Sequence, residues 1–348
     1  MNRARWLRLH KIIGLAMAAL LLVQAVTGML LLYRGPVARW IDPAGMTSHG
    51  AAPAISAGTA VAGAERALPG FAVARLFAPD GDGATYVAEM TGAQGTRYAS
   101  VDPAGGKLLR SGPVWAFPVE AALQLHYRLM AGKAGMAVVL LNALALLAMA
   151  GTGLAYWWPK KGPVSKQLSI RWNMAFRLVL RQLHRTAGVL MSVLLGFMAV
   201  TGLLLVVPEL IGADATPLQR PAANAMAIDR SLGLAQSAFP DSVLRDFRLT
   251  DERLIANFHA PERNPRAVHR AIVTLAAPHI VSATRAENNG ALWMSVLPLH
   301  AGNSFGLIGP VAVMLVALGL IALSLTGPLM WWQARAVRRR STARKQMA

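Results

Sequence analysis

Four histidines recur at a fixed spacing, and imidazole can ligate a metal or carry a proton. Shifting the numbering by half of the 348-residue length places His10 on His184 and His126 on His300. The same half-length offset relates further identical pairs without a gap: Thr27-Gly28 and Thr201-Gly202, Thr152-Gly153 and Thr326-Gly327, Trp157-Trp158 and Trp331-Trp332. Self-similarity at a fixed period indicates a repeat, so the sequence predicts two copies of one unit. The other four histidines do not recur and receive no predicted role: His49, His259, His269 and His279.

Each recurring pair can supply two neutral imidazoles to one cofactor if the halves pack about a two-fold axis. Haem b with two axial histidines needs that number and geometry, whereas zinc sites use three or four protein ligands. The chain contains no cysteine, which excludes iron-sulfur clusters and thioether-linked haem. The alternative is that these histidines pack at a membrane interface. Their retention between otherwise diverged copies favours ligation, and we expect two haem b groups.

Long apolar segments must position these histidines. Hydrophobic residues make up 55% of the chain, and four apolar runs are each long enough to cross a hydrocarbon core of about 30 Å as a helix. The runs are Ile12–Tyr33, Met136–Trp158, Thr186–Pro208 and Phe305–Trp332. Two spans in each copy make both copies face the same way. A cleaved signal peptide is the alternative for the first run, but that run exceeds a typical signal segment and we expect a retained helix.

The distribution of charge predicts the orientation. All 16 acidic residues lie within positions 34–120 and 208–296, where acidic and basic residues balance, so the net charge of +19 comes from the rest of the chain. The positive-inside rule then predicts cytoplasmic termini, a cytoplasmic middle loop and two periplasmic segments in a bacterial inner membrane. The basic residues are expected to face anionic membrane lipid, and no nucleic-acid partner is predicted. This topology puts His10 and His184 on the cytoplasmic side and His126 and His300 on the periplasmic side.

The two balanced segments are too long for connecting loops and about the size of small folded modules. In the first, a helix over Ala57–Leu68 precedes three predicted strands, Phe71–Phe77, Thr85–Met90 and Thr96–Val101. In the second, a helix over Arg230–Ala238 precedes Leu254–His259, Ala267–Leu275 and Ile280–Arg285. The fold class expected is a membrane α-helical protein with four transmembrane helices from a tandem two-helix repeat and two periplasmic α+β modules. The predicted transmembrane segments are 1–33 with the cytoplasmic N-terminus, 121–160, 186–208 and 297–334. The periplasmic modules are 34–120 and 209–296. The cytoplasmic loop is 161–185, and the basic cytoplasmic tail is 335–348.

Glycines near the histidines are candidates for making room for the cofactor. Gly14 lies one helical turn after His10, and Gly28 lies five turns after His10, about 27 Å along the same face. Gly188 and Gly202 repeat these positions relative to His184. Small residues also serve close helix packing, so both interpretations stay open.

Cationic side chains are needed to pair with haem propionates. On the cytoplasmic side Lys11 and Arg185 are placed to do so, although topology explains them equally well. On the far side Arg128 and Lys133 are the candidates; the half-length offset places Gly302 and Leu307 opposite them, so they have no basic counterparts.

Several of these motifs resemble the PepSY-associated transmembrane helix family of bacterial inner-membrane proteins, some of which are called iron-regulated membrane proteins. They are Arg8-Leu9-His10-Lys11, Leu183-His184-Arg185, the two Thr-Gly pairs that follow them, the stretch GLAYWWP at 153–159 and Val101-Asp102-Pro103. The second module departs from the last motif at Ala276-Ala277-Pro278. Members similar to this chain include di-haem siderophore reductases. The resemblance implies haem ligation by the four recurring histidines and electron transfer to a periplasmic ferric chelate.

The resulting expectation is a haem-dependent transmembrane ferric reductase. Its partners would be a ferric siderophore or another periplasmic iron chelate and a cytoplasmic or quinol electron donor. No nucleotide-binding glycine motif is present, so direct use of NAD(P)H is not expected. The alternatives are a PepSY sensor or assembly protein without haem and a transporter for a chelate or metal.

Overall fold

The computed structural model describes residues 2–48, 50, 52–159, 162–212 and 224–346. The chain forms two compact units, each drawn from both halves of the sequence. The first unit, the bundle, comprises Met1–Leu32, Leu123–Ile211 and Leu299–Ala348, and the second, the sheet unit, comprises Tyr33–Ala122 and Gly212–Pro298. His49 lies outside the described residues.

Eleven helices occur in the described part of the chain. In chain order they are α1 (Arg3–Leu32), α2 (Arg34–Ile41), α3 (Pro43–Met46), α4 (Ala57–Ala67), α5 (Pro118–Arg128), α6 (Gly132–Trp157), α7 (Val164–Leu168), α8 (Phe176–Ile211), α9 (Ala225–Ser237), α10 (Leu292–His300) and α11 (Ile308–Gln346). Of these, α1, α6, α8 and α11 are long and apolar enough to cross a membrane, which confirms the four predicted spans. Helices α1 and α8 begin before their apolar runs, because the preceding segments are rich in Arg and Leu, which are good helix formers.

The four long helices form a ring in which α1 and α8 each pack against α6 and α11. Helices α1 and α8 are therefore diagonal to each other, as are α6 and α11. The middle of the bundle is apolar and includes pairs related by the half-length offset, namely Met17 with Met191, Leu21 with Leu195 and Leu146 with Leu320. Dispersion contacts between such side chains hold membrane helices together, since lipid tails offer no hydrophobic driving force between helices.

The sheet unit contains eight strands. They are β1 (Phe71–Phe77), β2 (Tyr86–Gly92), β3 (Gly95–Val101), β4 (Leu108–Gly112), β5 (Leu244–Leu249), β6 (Arg253–His259), β7 (Val268–Thr274) and β8 (Ile280–Thr284). All pair antiparallel in the order β4-β3-β2-β1-β5-β6-β7-β8. The six predicted strands are present to within about two residues, an ordinary boundary error.

Two strands and the union of the modules are not anticipated by the sequence analysis. Strand β5 carries two arginines and an aspartate in six residues, which hides its alternation, and β4 has no β-branched residue. Strands β1 and β5 pair with each other, so the two expected meanders form one sheet. Helices α4 and α9 contact each other and pack on one face of this sheet over a core that includes Val73, Phe247 and Phe258. Helix α9 begins at Ala225, earlier than the predicted Arg230, because Asn224 caps its first turn by accepting bonds from Met226 and Ala227.

Candidate functional site

The bundle brings the four recurring histidines together in two pairs. His10 on α1 faces His184 on the diagonal helix α8, with 6.5 Å between their ring centroids. His126 on α5 and His300 on α10 face each other at 6.3 Å. Both pairings are those predicted from the sequence. The two pairs lie toward opposite ends of α1, since His126 contacts Gly28 near its end and His10 is near its start.

Each of the four imidazoles is bonded through Nδ1 to a threonine hydroxyl of a neighbouring helix. His126 bonds to Thr27 at 3.1 Å and His300 to Thr201 at 2.9 Å. At the other pair, His10 bonds to Thr152 at 3.3 Å and His184 to Thr326 at 2.7 Å. All four threonines belong to Thr-Gly pairs that the half-length offset relates. The same arrangement therefore occurs four times in one bundle.

The threonine hydroxyls determine which nitrogen of each ring carries the proton. Each hydroxyl donates its single hydrogen to the carbonyl four residues earlier in its own helix, at 2.7–2.9 Å. The hydroxyl oxygen can then only accept a bond from the imidazole, so Nδ1 must carry the proton. Backbone carbonyls of Met149 and Gln24 also lie 3.2 Å from Nδ1 of His10 and 3.0 Å from Nδ1 of His126, and a carbonyl accepts only. In a neutral ring this leaves Nε2 with a lone pair, which is the form that ligates a metal.

The glycine of each Thr-Gly pair lies against the same ring that its threonine bonds. A Cβ atom added to Gly28 would lie 2.9 Å from Cε1 of His126, and one added to Gly153 would lie 3.2 Å from Cε1 of His10. The corresponding distances are 3.6 Å for Gly202 with His300 and 3.6 Å for Gly327 with His184. The glycine thus lets the helix approach the imidazole closely, and the ring is held between a hydroxyl and a bare backbone.

The spacing within each pair fits one metal ion bound between two imidazoles. A metal lies about 2 Å from a ligating imidazole nitrogen, hence about 3.2 Å from that ring's centroid, and two rings on opposite sides are about 6.4 Å apart. The measured 6.5 Å and 6.3 Å agree with this value. Within the described ranges no group of three or more His, Asp or Glu side chains is arranged to hold an ion. The donor set of two imidazoles fits haem, which brings its own four nitrogen ligands, better than zinc.

The remaining candidate glycines, Gly14 and Gly188, face apolar side chains of neighbouring helices. Gly14 faces the side chain of Met149, whose Cε would lie 3.0 Å from an added Cβ. Gly188 faces Leu323 at 3.8 Å. Both therefore make close helix contacts, in accord with the packing interpretation.

The predicted cationic residues differ in their availability. The Nε atoms of Arg128 and Arg185 are buried and have no hydrogen-bond partner among the described residues, so each has a donor free for an acidic group. Arg185 also donates through Nη2 to the carbonyl of Ser169 at 3.3 Å, and the guanidinium of Arg128 lies 5.0 Å from the ring centroid of Tyr127. Lys11 is exposed, whereas Lys133 already has an interaction partner.

Burial keeps the histidine pair outside the spanning helices neutral. It lowers the pKa of His126 from its usual range, although the bond to the Gln24 carbonyl opposes this effect. Burial, together with the repulsion that a second protonated imidazole at His126 would cause, lowers the pKa of His300 to about 3. Both imidazoles therefore carry no charge at neutral pH, as a ligating nitrogen requires.

Sequence reasoning found the histidines but not the role of the threonines. The recurrence of the threonines could have indicated their role, because both Thr-Gly pairs of each half recur at the half-length offset, as the histidines do. The pairing of each threonine with a histidine 99 or 142 residues away requires the packing of the helices.

Four helices long and apolar enough to cross a membrane, together with two facing histidine pairs, define a multi-pass membrane protein with two candidate cofactor sites. The profile of the PepSY-associated TM region matches residues 7–334, and the chain belongs to this family. No curated protein matches the chain.

Proposed function

We propose that this protein is a di-haem b oxidoreductase of a bacterial inner membrane that passes electrons from the cytoplasmic side to a ferric chelate in the periplasm. One observation carries the proposal. Four imidazoles, each fixed with Nδ1 protonated, form two pairs at the separation that suits one iron atom. A packing or interfacial histidine has no need of a fixed tautomer or of a facing partner at this distance.

Each residue of the site has a distinct task in this function. The four histidines would hold the two haem groups, and the threonines keep their rings in one orientation and one tautomer. Haem bound in this way supplies reversible one-electron chemistry, with a potential set by ligands, burial and nearby charge. Arg128 and Arg185, each with an unpaired buried Nε, are the partners for propionates on the two sides.

The apolar middle of the bundle separates the two sites and excludes water and ions. Along α1 the rise from His10 to Gly28 is about 27 Å, and the layer between includes Met17, Leu21 and Leu146. Such a layer is costly for a charged species to enter, so electrons can cross the membrane without a leak of ions.

The orientation and the acceptor have independent support. All 16 acidic residues lie in the two segments that the charge rule places in the periplasm. Resemblance to siderophore reductases supports a ferric chelate as acceptor. Each ferric ion takes up one electron and leaves as ferrous iron, which such chelators hold more weakly. A quinol or a cytoplasmic reductase would supply that electron.

Optical spectroscopy of the purified full chain tests this proposal. The protein is expressed with a haem supply, purified in detergent and measured as a dithionite-reduced minus oxidised spectrum, with haem quantified as the pyridine haemochrome. We expect two low-spin b-type haems for each chain, and reoxidation of the reduced protein when a ferric chelate is added. A colourless protein would overturn the proposal and favour a PepSY sensor or a transporter. Haem that is not reoxidised by any ferric chelate would overturn the reductase function alone.

A further inference from the structure

A cluster of arginines lies in the sheet unit and includes none of the residues assigned to the histidine sites. We call it the arginine face and define it as Arg75 on β1, Arg245 and Arg248 on β5, and Arg270 on β7. In the antiparallel register Arg75 is directly opposite Arg248, and Arg270 is opposite Asn257, which is opposite Asp246.

The register places this cluster on the side of the sheet that helices α4 and α9 do not cover. Phe247 belongs to the core beneath those helices, and successive side chains of a strand point to opposite faces. Its neighbours Asp246 and Arg248 therefore point to the other face. Arg245 is an extra residue in β5, where the register against β6 shifts between Leu244 and Asp246. A bulge of this kind redirects a side chain, and Arg245 reaches Asp246 from it.

Asp246 already has all the partners that a buried carboxylate needs. It is completely buried and accepts bonds from Arg75 at 3.0 Å, from Nε of Arg245 at 2.7 Å and from Nδ2 of Asn257 at 3.0 Å. The amide oxygen of Asn257 accepts in turn from Nε of Arg270 at 3.3 Å. The ring centroid of Phe77 also lies 4.3 Å from the guanidinium of Arg75. Arg75, Arg245 and Arg270 are thus held in place before any ligand arrives.

The face nevertheless has more positive than negative charge. Arg248 is exposed and makes no hydrogen bond or ion pair with the residues that the structure describes. A second carboxylate in the sheet is Glu89, which is opposite Arg75 on β2 and interacts electrostatically with it. Asp80 lies close enough to His259 for its negative charge to oppose the lowering of the His259 pKa by burial. Burial, with repulsion from Arg248 and Arg245, lowers the pKa of Arg75 in spite of Asp246 and Glu89.

Like charges directly opposite each other in a sheet are destabilising. A bound anion beside Arg248 would reduce its repulsion with Arg75. The planar guanidinium matches a carboxylate through two parallel hydrogen bonds. We propose that the arginine face binds the ferric substrate through free carboxylates, so that this protein takes anionic, carboxylate-bearing chelates in preference to neutral or cationic ones. The inference rests on the proposed reductase function for the identity of its ligand.

Binding of a redox-inert analogue of the ferric chelate tests this site independently of electron transfer. The probe is gallium citrate, titrated calorimetrically into the full chain in detergent without added lipid, and gallium desferrioxamine, which has no free carboxylate, is the comparison ligand. The variant is Arg248→Gln, and the matched control is Arg230→Gln, an exposed arginine on α9 on the covered side of the sheet. Both changes remove one exposed positive charge, and unchanged melting temperatures verify that both variants fold.

We expect saturable binding of gallium citrate that weakens with salt, falls at least tenfold in Arg248→Gln and is unchanged in Arg230→Gln. Equal effects of the two substitutions, or equal affinity for the two gallium chelates, would overturn the proposal. Binding to vesicles of anionic lipid without binding to gallium citrate would assign the face to lipid headgroups and also overturn it. Because gallium is not reduced, a colourless chain that binds the probe would refute only the reductase, and a di-haem chain that ignores it would refute only this site.

Discussion

The bundle and the sheet unit preserve the similarity between the halves of the chain in different ways. In the bundle, residue identities are kept in strict register, since every histidine and Thr-Gly pair of the site recurs at the half-length offset. In the sheet unit the strand order is kept but the spacing drifts. Strand β6, the counterpart of β2, begins at Arg253, which is well before the position that the half-length offset from Tyr86 would give. Strand β7, the counterpart of β3, begins at Val268, almost at the position that the same offset from Gly95 gives.

Backbone irregularities are kept in the sheet where side chains are not. The register of β1 against β2 shifts between Val73 and Arg75, and the register of β5 against β6 shifts between Leu244 and Asp246. Arg75 and Asp246 therefore follow equivalent bulges, yet one is a cation and the other an anion, and they bond across the β1–β5 seam. A sheet requires only that apolar and polar residues alternate along its strands and that turns connect them, so individual residues can change type. A ligand site requires particular atoms at particular positions, so its residues are retained.

The largest effect should follow from removing one of the proposed haem ligands in the bundle. In His300→Leu we expect loss of half of the bound haem and of chelate reduction, because the haem at this site would lose one of the two imidazoles proposed to hold it. In His184→Leu the other half should be lost. The pyridine haemochrome assay measures both.

The matched control for these variants is His279→Leu in the sheet unit. His279 is exposed, and among the described residues it bonds with Thr274 and Ala277, which are close in sequence. Its haem content should be that of the unmodified chain. Equal loss in all three variants would indicate general misfolding rather than ligation.

The next largest effect concerns the seam of the sheet. Asp246→Ala leaves Arg75 and Arg245 without their buried partner, and breaking a buried ion pair in this way costs about 3–5 kcal/mol. Hydrogen exchange of the sheet amides in the full chain measures the loss. Asp241→Ala, at an exposed position close in sequence, should leave the exchange unchanged.

The same carboxylate predicts a dependence of sheet stability on pH. Burial alone would raise the pKa of Asp246, but Arg75 and Arg245 lower it overall. A lowered pKa in the folded state contributes stability that is complete above the unfolded value of about 3.9 and is lost as the pH falls toward the folded value. The protection of the sheet amides relative to their intrinsic exchange rates should therefore fall below about pH 4, and this fall should disappear in Asp246→Asn. Persistence of the full effect in that variant would contradict the assignment.

A smaller effect is expected from the hydroxyls that orient the histidines. Thr201→Val keeps the shape of the side chain but removes the acceptor for Nδ1 of His300, and loss of such a partner typically costs about 10–100-fold in affinity or activity. The midpoint potential of one haem should shift, and Thr201→Ser should restore it. Thr186→Val is the control on the same helix, because that hydroxyl bonds to the carbonyl of Leu168. An unchanged potential in Thr201→Val would show that packing alone orients the ring.

Much of the fold is predictable because it follows from local patterns. The four spans follow from apolar length, strand β1 from its run of apolar and aromatic residues, and the histidine pairs from their recurrence. Strand β5 is not predictable in this way, since its charged residues are explained only by the ion pair with Arg75. The union of two meanders through β1 and β5 likewise depends on a pairing between strands that are far apart in the sequence.

The finer structure of the candidate sites is also beyond the sequence. Gly14 and Gly28 both lie on the face of α1 that the helical period assigns to His10, yet one contacts Met149 and the other His126. Only the packing of α1 against α5 and α6 distinguishes them. Sequence recurrence also makes Gly28 and Gly202 equal, while the structure gives their rings different clearances.

That difference in clearance provides the smallest and most discriminating test. In Gly28→Ala the new methyl group would lie 2.9 Å from Cε1 of His126, whose ring is held by Thr27 on the same helix and cannot easily move away. Overpacking costs about 1–3 kcal/mol, which exceeds the gain of about 1 kcal/mol from replacing glycine by alanine in a helix. In Gly202→Ala the methyl group would lie 3.6 Å from His300, an ordinary contact, so the stabilisation of the helix by alanine should prevail.

Thermal melting should therefore show destabilisation for Gly28→Ala and little change or a slight gain for Gly202→Ala. The low-spin signal of the haem proposed to bind between His126 and His300 should change in the first variant only. Equal behaviour of the two would mean that the halves are as alike in packing as they are in sequence.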